Sequence, residues 1–160
     1  MQETDTRQDE VFLRRAIELA QAAADHGNEP FGAVLVHNGK VVASSENQIY
    51  TNRDFTSHAE LGLIQRFCRE SGITDLSGYT LYSSCEPCFM CSGAMVWARL
   101  GRLVYAASDL ELCGLIGVQG SQCSKLVFEH SDWKPQVTAG LLREESLAVL
   151  RSYFAGHEKH

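Results

Sequence analysis

The sequence predicts an α/β protein, a three-layer α/β/α sandwich around one mixed five-stranded sheet. Two observations carry this. Helical and strand patterns follow one another in the order α-β-β-α-β-α-β-(β)-α, which layers helices on a sheet. Two apolar runs flank Asn38-Gly39, a strong two-residue hairpin signal. A length of 160 residues suits one domain with a real core, so residues 9–155 are expected to form it, between a loose arm over 1–8 and a frayed tail over 156–160.

In the first helix, Phe12, Leu13, Ala16, Ile17, Ala20, Ala23 and Ala24 recur at three- and four-residue steps from Asp9. Arg14, Arg15, Glu18 and Gln21 take the other face, and Gly27-Asn28 stops the pattern. Residues 30–37 and 40–45 form the hairpin strands. Residues 46–57 read as a polar loop. A second helix runs from His58 to about Arg69, capped by Thr56 or Ser57, and Ser71-Gly72 closes it. Residues 79–83 form a strand. A third helix starts near Pro87, a residue suited to a first turn, and runs to Arg99, with Trp97 read as core. Residues 103–107 form a buried-type strand, 136–139 the last strand, and 141–154 an amphipathic helix. The stretch 108–125 gives no readable pattern.

Chemistry concentrates in His58-Ala59-Glu60 and Pro87-Cys88-Phe89-Met90-Cys91. One histidine and a Cys-x-x-Cys pair make three ligands, the number a catalytic zinc takes while leaving a fourth position for water. His58 and Glu60 stand two apart, so they do not share a helix face, and one metal is not expected to take both. A carboxylate beside the metal can move protons. A structural zinc would need a fourth protein ligand, for which Cys85 is the candidate. Cys88 and Cys91 lie on one face at a helix start, where partial positive charge favours thiolates. The remaining cysteines, Cys68, Cys113 and Cys123, read as small buried hydrophobes.

His-x-Glu followed by Pro-Cys-x-x-Cys is a known pattern of zinc nucleobase deaminases. Over Phe12 to Phe154 the chain resembles the cytidine deaminase-like superfamily, nearest the branch of guanine deaminases and tRNA adenosine deaminases. The resemblance implies the same sandwich, one zinc per subunit on His58, Cys88 and Cys91, Glu60 as the catalytic acid and base, and a homodimer. It further implies substrate contacts from Asn47, Phe31 and the backbone of Ala59. The expected reaction is hydrolytic deamination, with an amine replaced by a carbonyl and ammonia released. Glu86 is given no catalytic role.

Pro30-Phe31-Gly32-Ala33-Val34, Ser84-Cys85-Glu86-Pro87-Cys88 and Trp97-Ala98-Arg99 lean toward a guanine-type free-base enzyme. So does the net charge of -6, which gains little from phosphate backbones. Two departures pull away from guanine. Residues 113–120 contain no carboxylate where the resembling enzymes have an acidic stretch, so Leu115, Ile116 and Val118 are expected to make an apolar wall. Phe55 stands where the family usually has proline. Cytosine, a pterin or a triazine therefore stay open as rings, tRNA adenosine as an alternative substrate, and a non-catalytic zinc protein as a remote one. The polar, acidic start lacks the features of a secretory signal, no apolar run spans a bilayer, and thiolate ligands suit a reducing compartment. A cytoplasmic location without membrane contact is expected.

Overall fold

The computed structural model describes residues 3–157, with side chains from Asp5 onward. Twelve elements follow in order: α1 (Glu3–Asp25), β1 (Gly32–His37), β2 (Lys40–Glu46), α2 (Ile49–Asn52), α3 (Ala59–Ser71), β3 (Thr80–Cys85), α4 (Phe89–Trp97), β4 (Arg102–Ala107), α5 (Asp109–Ile116), α6 (Cys123–Glu129), β5 (Gln136–Ala139) and α7 (Arg143–Phe154). The strands form one sheet in the order β2-β1-β3-β4-β5. β1 is antiparallel to β2 and β3, whereas β3, β4 and β5 are parallel. The sheet is mixed and five-stranded, as the element order predicts.

The pleat divides the core into two layers. Ala33 and Leu35 of β1, Leu81 of β3 and Leu103 of β4 pack with Leu63, Ile64 and Met95 of α3 and α4. Val34, Val36, Tyr82, Val104 and Ala106 point the other way, against Leu13, Ala16 and Ile17 of α1. At the hairpin, Asn38 and Gly39 both take positive φ, 50° and 72°, which is the type I′ turn their sequence calls for. Gly32 has a different reason. A Cβ there would lie 2.3 Å from the carbonyl oxygen of Ala16, so α1 sits on β1 at backbone distance.

A buried ionic clamp fastens α1 to the sheet. Asp9 accepts from Tyr82 Oη at 2.7 Å and from both terminal nitrogens of Arg102, at 2.8 and 2.6 Å. Arg102 also donates to Thr138 of β5. The bidentate pairing and the added phenol satisfy Asp9 inside the protein.

Several expectations need correction. Residues 3–8 belong to α1 rather than to a loose arm, because the helix is continuous from Glu3. Residues 1–2, and the tail beyond His157, lie outside the described residues. The loop over 46–57 contains the short helix α2, and 108–125 contains α5 and the start of α6. Trp97 is not core: it is 89% exposed. No described helix is long and apolar enough to cross a membrane.

Replacing Asp9 with alanine leaves Arg102 without its buried partner and is expected to destabilise the fold by about 3 kcal/mol. Urea unfolding followed by circular dichroism measures this; an unchanged midpoint would show that the clamp holds nothing.

Candidate metal centre and active site

The parallel strands β3 and β4 end side by side at Cys85 and Ala107. Ligand sites of α/β sheets gather beyond such strand ends. Glu86 and Pro87 lead from β3 into α4, and Cys88 is the N-cap of that helix, its Sγ accepting from Cys91 N at 3.5 Å. His58 is the N-cap of α3. It holds that place instead of Thr56 or Ser57, because its own backbone is extended and no side chain caps the turn. Two helix starts, with their unpaired N–H groups and partial positive charge, therefore meet at one point.

His58 Nδ1 stands 3.6 Å from Cys88 Sγ. The ligand atoms of His58, Cys88 and Cys91 all lie within 4.8 Å of one another. Tetrahedral zinc, with bonds of about 2.0 Å to nitrogen and 2.3 Å to sulfur, sets such atoms about 3.5–3.8 Å apart. One imidazole and two thiols at these separations fit zinc. Cys85 is no fourth ligand: it packs with Ala107, Leu112, Leu147 and Leu150. Among the described residues the group contains three ligands, the open-site number. All six cysteines are thiols.

Electrostatics favour the ligand state at Cys88, while the hydrogen bond to Cys88 pushes the His58 imidazole up despite its burial. The Cys88 thiol is held far below the ordinary range, first by its hydrogen bond with Cys91 and then, against the opposing effect of burial, by its bond with the His58 imidazole. Cys91 is pushed up by the same shared bond and by burial. Glu60, buried on the first turn of α3, is pushed up by desolvation. Ser83 partly offsets this. Its Oγ lies 2.6 Å from both Glu60 Oε1 and the carbonyl oxygen of Cys85. A hydroxyl has one proton to give. It can donate to an ionised Glu60, or donate to Cys85 and accept from a protonated one.

The cavity beside His58 and Cys88 measures about 60 Å³ and is lined by Glu29, Phe31, Glu60, Glu86, Asp109 and Leu112. The acidic wall that residues 113–120 lack is supplied from elsewhere. Asp109 opens α5 and Glu86 precedes Pro87. Leu115 and Val118, expected as an apolar wall, are exposed to solvent, and Leu112 faces the cavity from α5 instead. Phe55 is also exposed and lies with Ile49, Tyr50 and Arg53 on a separate surface. Asn47 is buried, its backbone N–H bonded to the carbonyl of Phe31. Its Oδ1 accepts from Ile49 N at 3.1 Å, which fixes the amide's orientation and leaves Nδ2 buried without a partner. Ala59, the first residue of α3, is fully buried in the core.

No local signal marks Ser83 or Glu29. Asp109 had one: Ser108 and Glu111 form a capping box, and the Ser-x-x-Glu spacing stands in the sequence.

Comparison with known proteins follows the same lines. Residues 6–107 match the model of the cytidine and deoxycytidylate deaminase zinc-binding region. The tRNA-specific adenosine deaminase of Bacillus subtilis is 36% identical over 147 residues, covering 92% of this chain and 89% of that one. The guanine deaminase of the same organism is 44% identical over 103 residues, covering 64% and 66%. The structure of guanine deaminase from Nitrosomonas europaea superposes with a TM-score of 0.79 at 27% identity, over 91% of this chain and 84% of that one.

The purified protein is expected to carry one zinc per chain. Cys91→Ala should lower this to below about one zinc per ten chains, since two ligands do not make a zinc site. Metal analysis by mass spectrometry checks this; full occupancy in the variant would remove Cys91 from the ligand set.

Proposed function

The chain belongs to the cytidine and deoxycytidylate deaminase family, and on that premise we propose that its substrate is a free nucleobase or related aminated heterocycle, guanine foremost. As a family member it is a zinc-dependent hydrolase of a C–N bond that releases ammonia. The observation that carries the substrate class is the cavity. Its space holds roughly four to six water molecules, the bulk of one heterocyclic base and less than that of a nucleotide. Four carboxylates line it, from Glu29, Glu60, Glu86 and Asp109, and no lysine or arginine does. Such a lining suits a ring bearing N–H donors and offers no partner for a phosphate.

In this reading His58, Cys88 and Cys91 hold the zinc. Bound zinc supplies a Lewis acid that brings the pKa of water at the site to about 7. Glu60 takes a first proton from the water and carries it to a ring nitrogen as the oxygen bonds to the amine-bearing carbon. Glu60 then takes the second proton from that oxygen and gives it to the amine, which leaves as ammonia as the C–N bond breaks and the carbonyl forms. Burial suits it to this work, because a carboxylate with a raised pKa is a better base than one in bulk water. Ser83 supports either protonation state of Glu60 through the alternative donations described above. Asn47 offers its buried Nδ2–H to an acceptor on the ring edge. Phe31 presents a flat apolar face to the ring. The backbone N–H of Ala59, in the first turn of α3 where no intrahelical acceptor is available, is the group assigned to a further contact.

A second reading, adenosine-to-inosine deamination in tRNA, is favoured by the near full-length similarity to that class of enzyme. A homodimer is part of the proposal. Helix α4 has no charged residue from Phe89 to Trp97, yet exposes both of these aromatic rings. A patch of this kind suits a partner surface.

Ammonia release from guanine, adenine, cytosine, a pterin, a triazine and an anticodon stem-loop tests the substrate. Release from guanine is expected. Release from the stem-loop alone would transfer the assignment to tRNA. Glu60→Gln is expected to keep the zinc and lower turnover by roughly 10²–10⁴-fold; near-native turnover would take the proton-transfer role from Glu60. In gel filtration the protein should run at twice its 17.7 kDa chain mass and Trp97→Glu at the chain mass. A native chain eluting as a monomer would refute the dimer.

A further inference from the structure

Glu86 lies between the end of β3 and the ligand Cys88, and is buried. Its Oε1 accepts from Asp109 N at 3.0 Å. Its Oε2 accepts from Ser124 N at 3.1 Å and from Ser124 Oγ at 2.7 Å. One carboxylate therefore joins three segments distant in sequence: the turn that carries Cys88, the first residue of α5, and the start of α6. Asp109 extends the link. Its Oδ2 accepts from Ser121 N at 2.7 Å and Gln122 N at 3.1 Å, and Cys113 Sγ donates to Oδ1 at 3.5 Å. Both carboxylates also line the cavity, beside Leu112 of the same helix.

We infer that Glu86 is a positioning residue for substrate selection: it sets the distance between the metal-binding turn and the α5 wall formed by Asp109 and Leu112. The chemistry requires a carboxylate. Two N–H groups and one O–H converge on it, and all three are donors. A glutamine would turn its own NH₂ toward at least one of them, leaving two donors face to face in a buried place. The wall would then be released from the turn while the three ligands stayed in place. Ring binding would suffer and bond cleavage would not. The inference rests on the deaminase reading of the site.

Three measurements on the zinc-loaded protein test it, using Glu86→Gln and the milder Ser124→Ala, which removes only the hydroxyl donor. Hydrogen exchange at the amides of Asp109, Ser121, Gln122 and Ser124 should accelerate by about tenfold in Glu86→Gln. KM for the substrate should rise by about tenfold with kcat within about threefold, and the preference between a two-ring and a one-ring base should narrow. Zinc should stay at one per chain. Ser124→Ala should move each quantity the same way by less, which keeps the test valid if Glu86→Gln folds poorly. An active native enzyme whose KM and amide protection are unchanged in both variants overturns the inference. So does a loss confined to kcat or to zinc content. A native chain silent on every base overturns the deaminase reading instead, and the exchange rates still decide whether Glu86 holds the wall.

Discussion

The structure depends on two helices beginning at the same place. Cys88 caps α4 and His58 caps α3, and their side chains meet at 3.6 Å. A helix start concentrates unpaired N–H groups and partial positive charge. Bringing two together would be repulsive were there nothing negative between them. The acidity that Cys91 and His58 lend to the Cys88 thiol favours negative charge there. The mixed sheet makes the meeting possible, since β3 and β4 run parallel and end together, each leading toward the same edge. The core layer that packs α3 and α4 against β1, β3 and β4 holds these helix starts in place.

Much of this was readable in the chain before folding. The hairpin followed from Asn38-Gly39, the first helix from its apolar spacing, and the metal ligands from residue type and separation. Other features had no local signature. Asp9 meets Tyr82 and Arg102 across 73 and 93 positions, and no pattern along the chain announces a pairing at that range. The start of α1 is polar, so periodicity could not place it, and Trp97 shows that apolarity alone does not decide burial. The unreadable stretch from 108 to 125 is a different case. Its two helices are short, and each begins on hydrogen bonds to carboxylates. A pattern built on hydrophobic spacing does not see helices held by polar bonds, although the capping box at Ser108 did mark one of them.

The substrate wall follows the same logic. Residues 113–120, after the fourth strand, contain no carboxylate. Two carboxylates that line the cavity come from earlier in the chain, Asp109 at the start of α5 and Glu86 in the turn between β3 and α4. The relatives divide in a corresponding way. The chain is similar both to a guanine deaminase and to tRNA-specific adenosine deaminases, so similarity along the chain reports the type of reaction and not the substrate.

The close seating of α1 on Gly32 bears on how such a pocket could be changed, in nature or by design. Phe31 precedes that glycine, and the backbone at Gly32 has no room to retreat, because Ala16 already stands against it. The floor of the cavity is therefore a fixed datum. Leu112 lines the same cavity from a short helix held by hydrogen bonds and does not share that backbone constraint, so the lining is more readily changed there than by displacing the chain at Gly32. Divergence in this scaffold has one adjustable side.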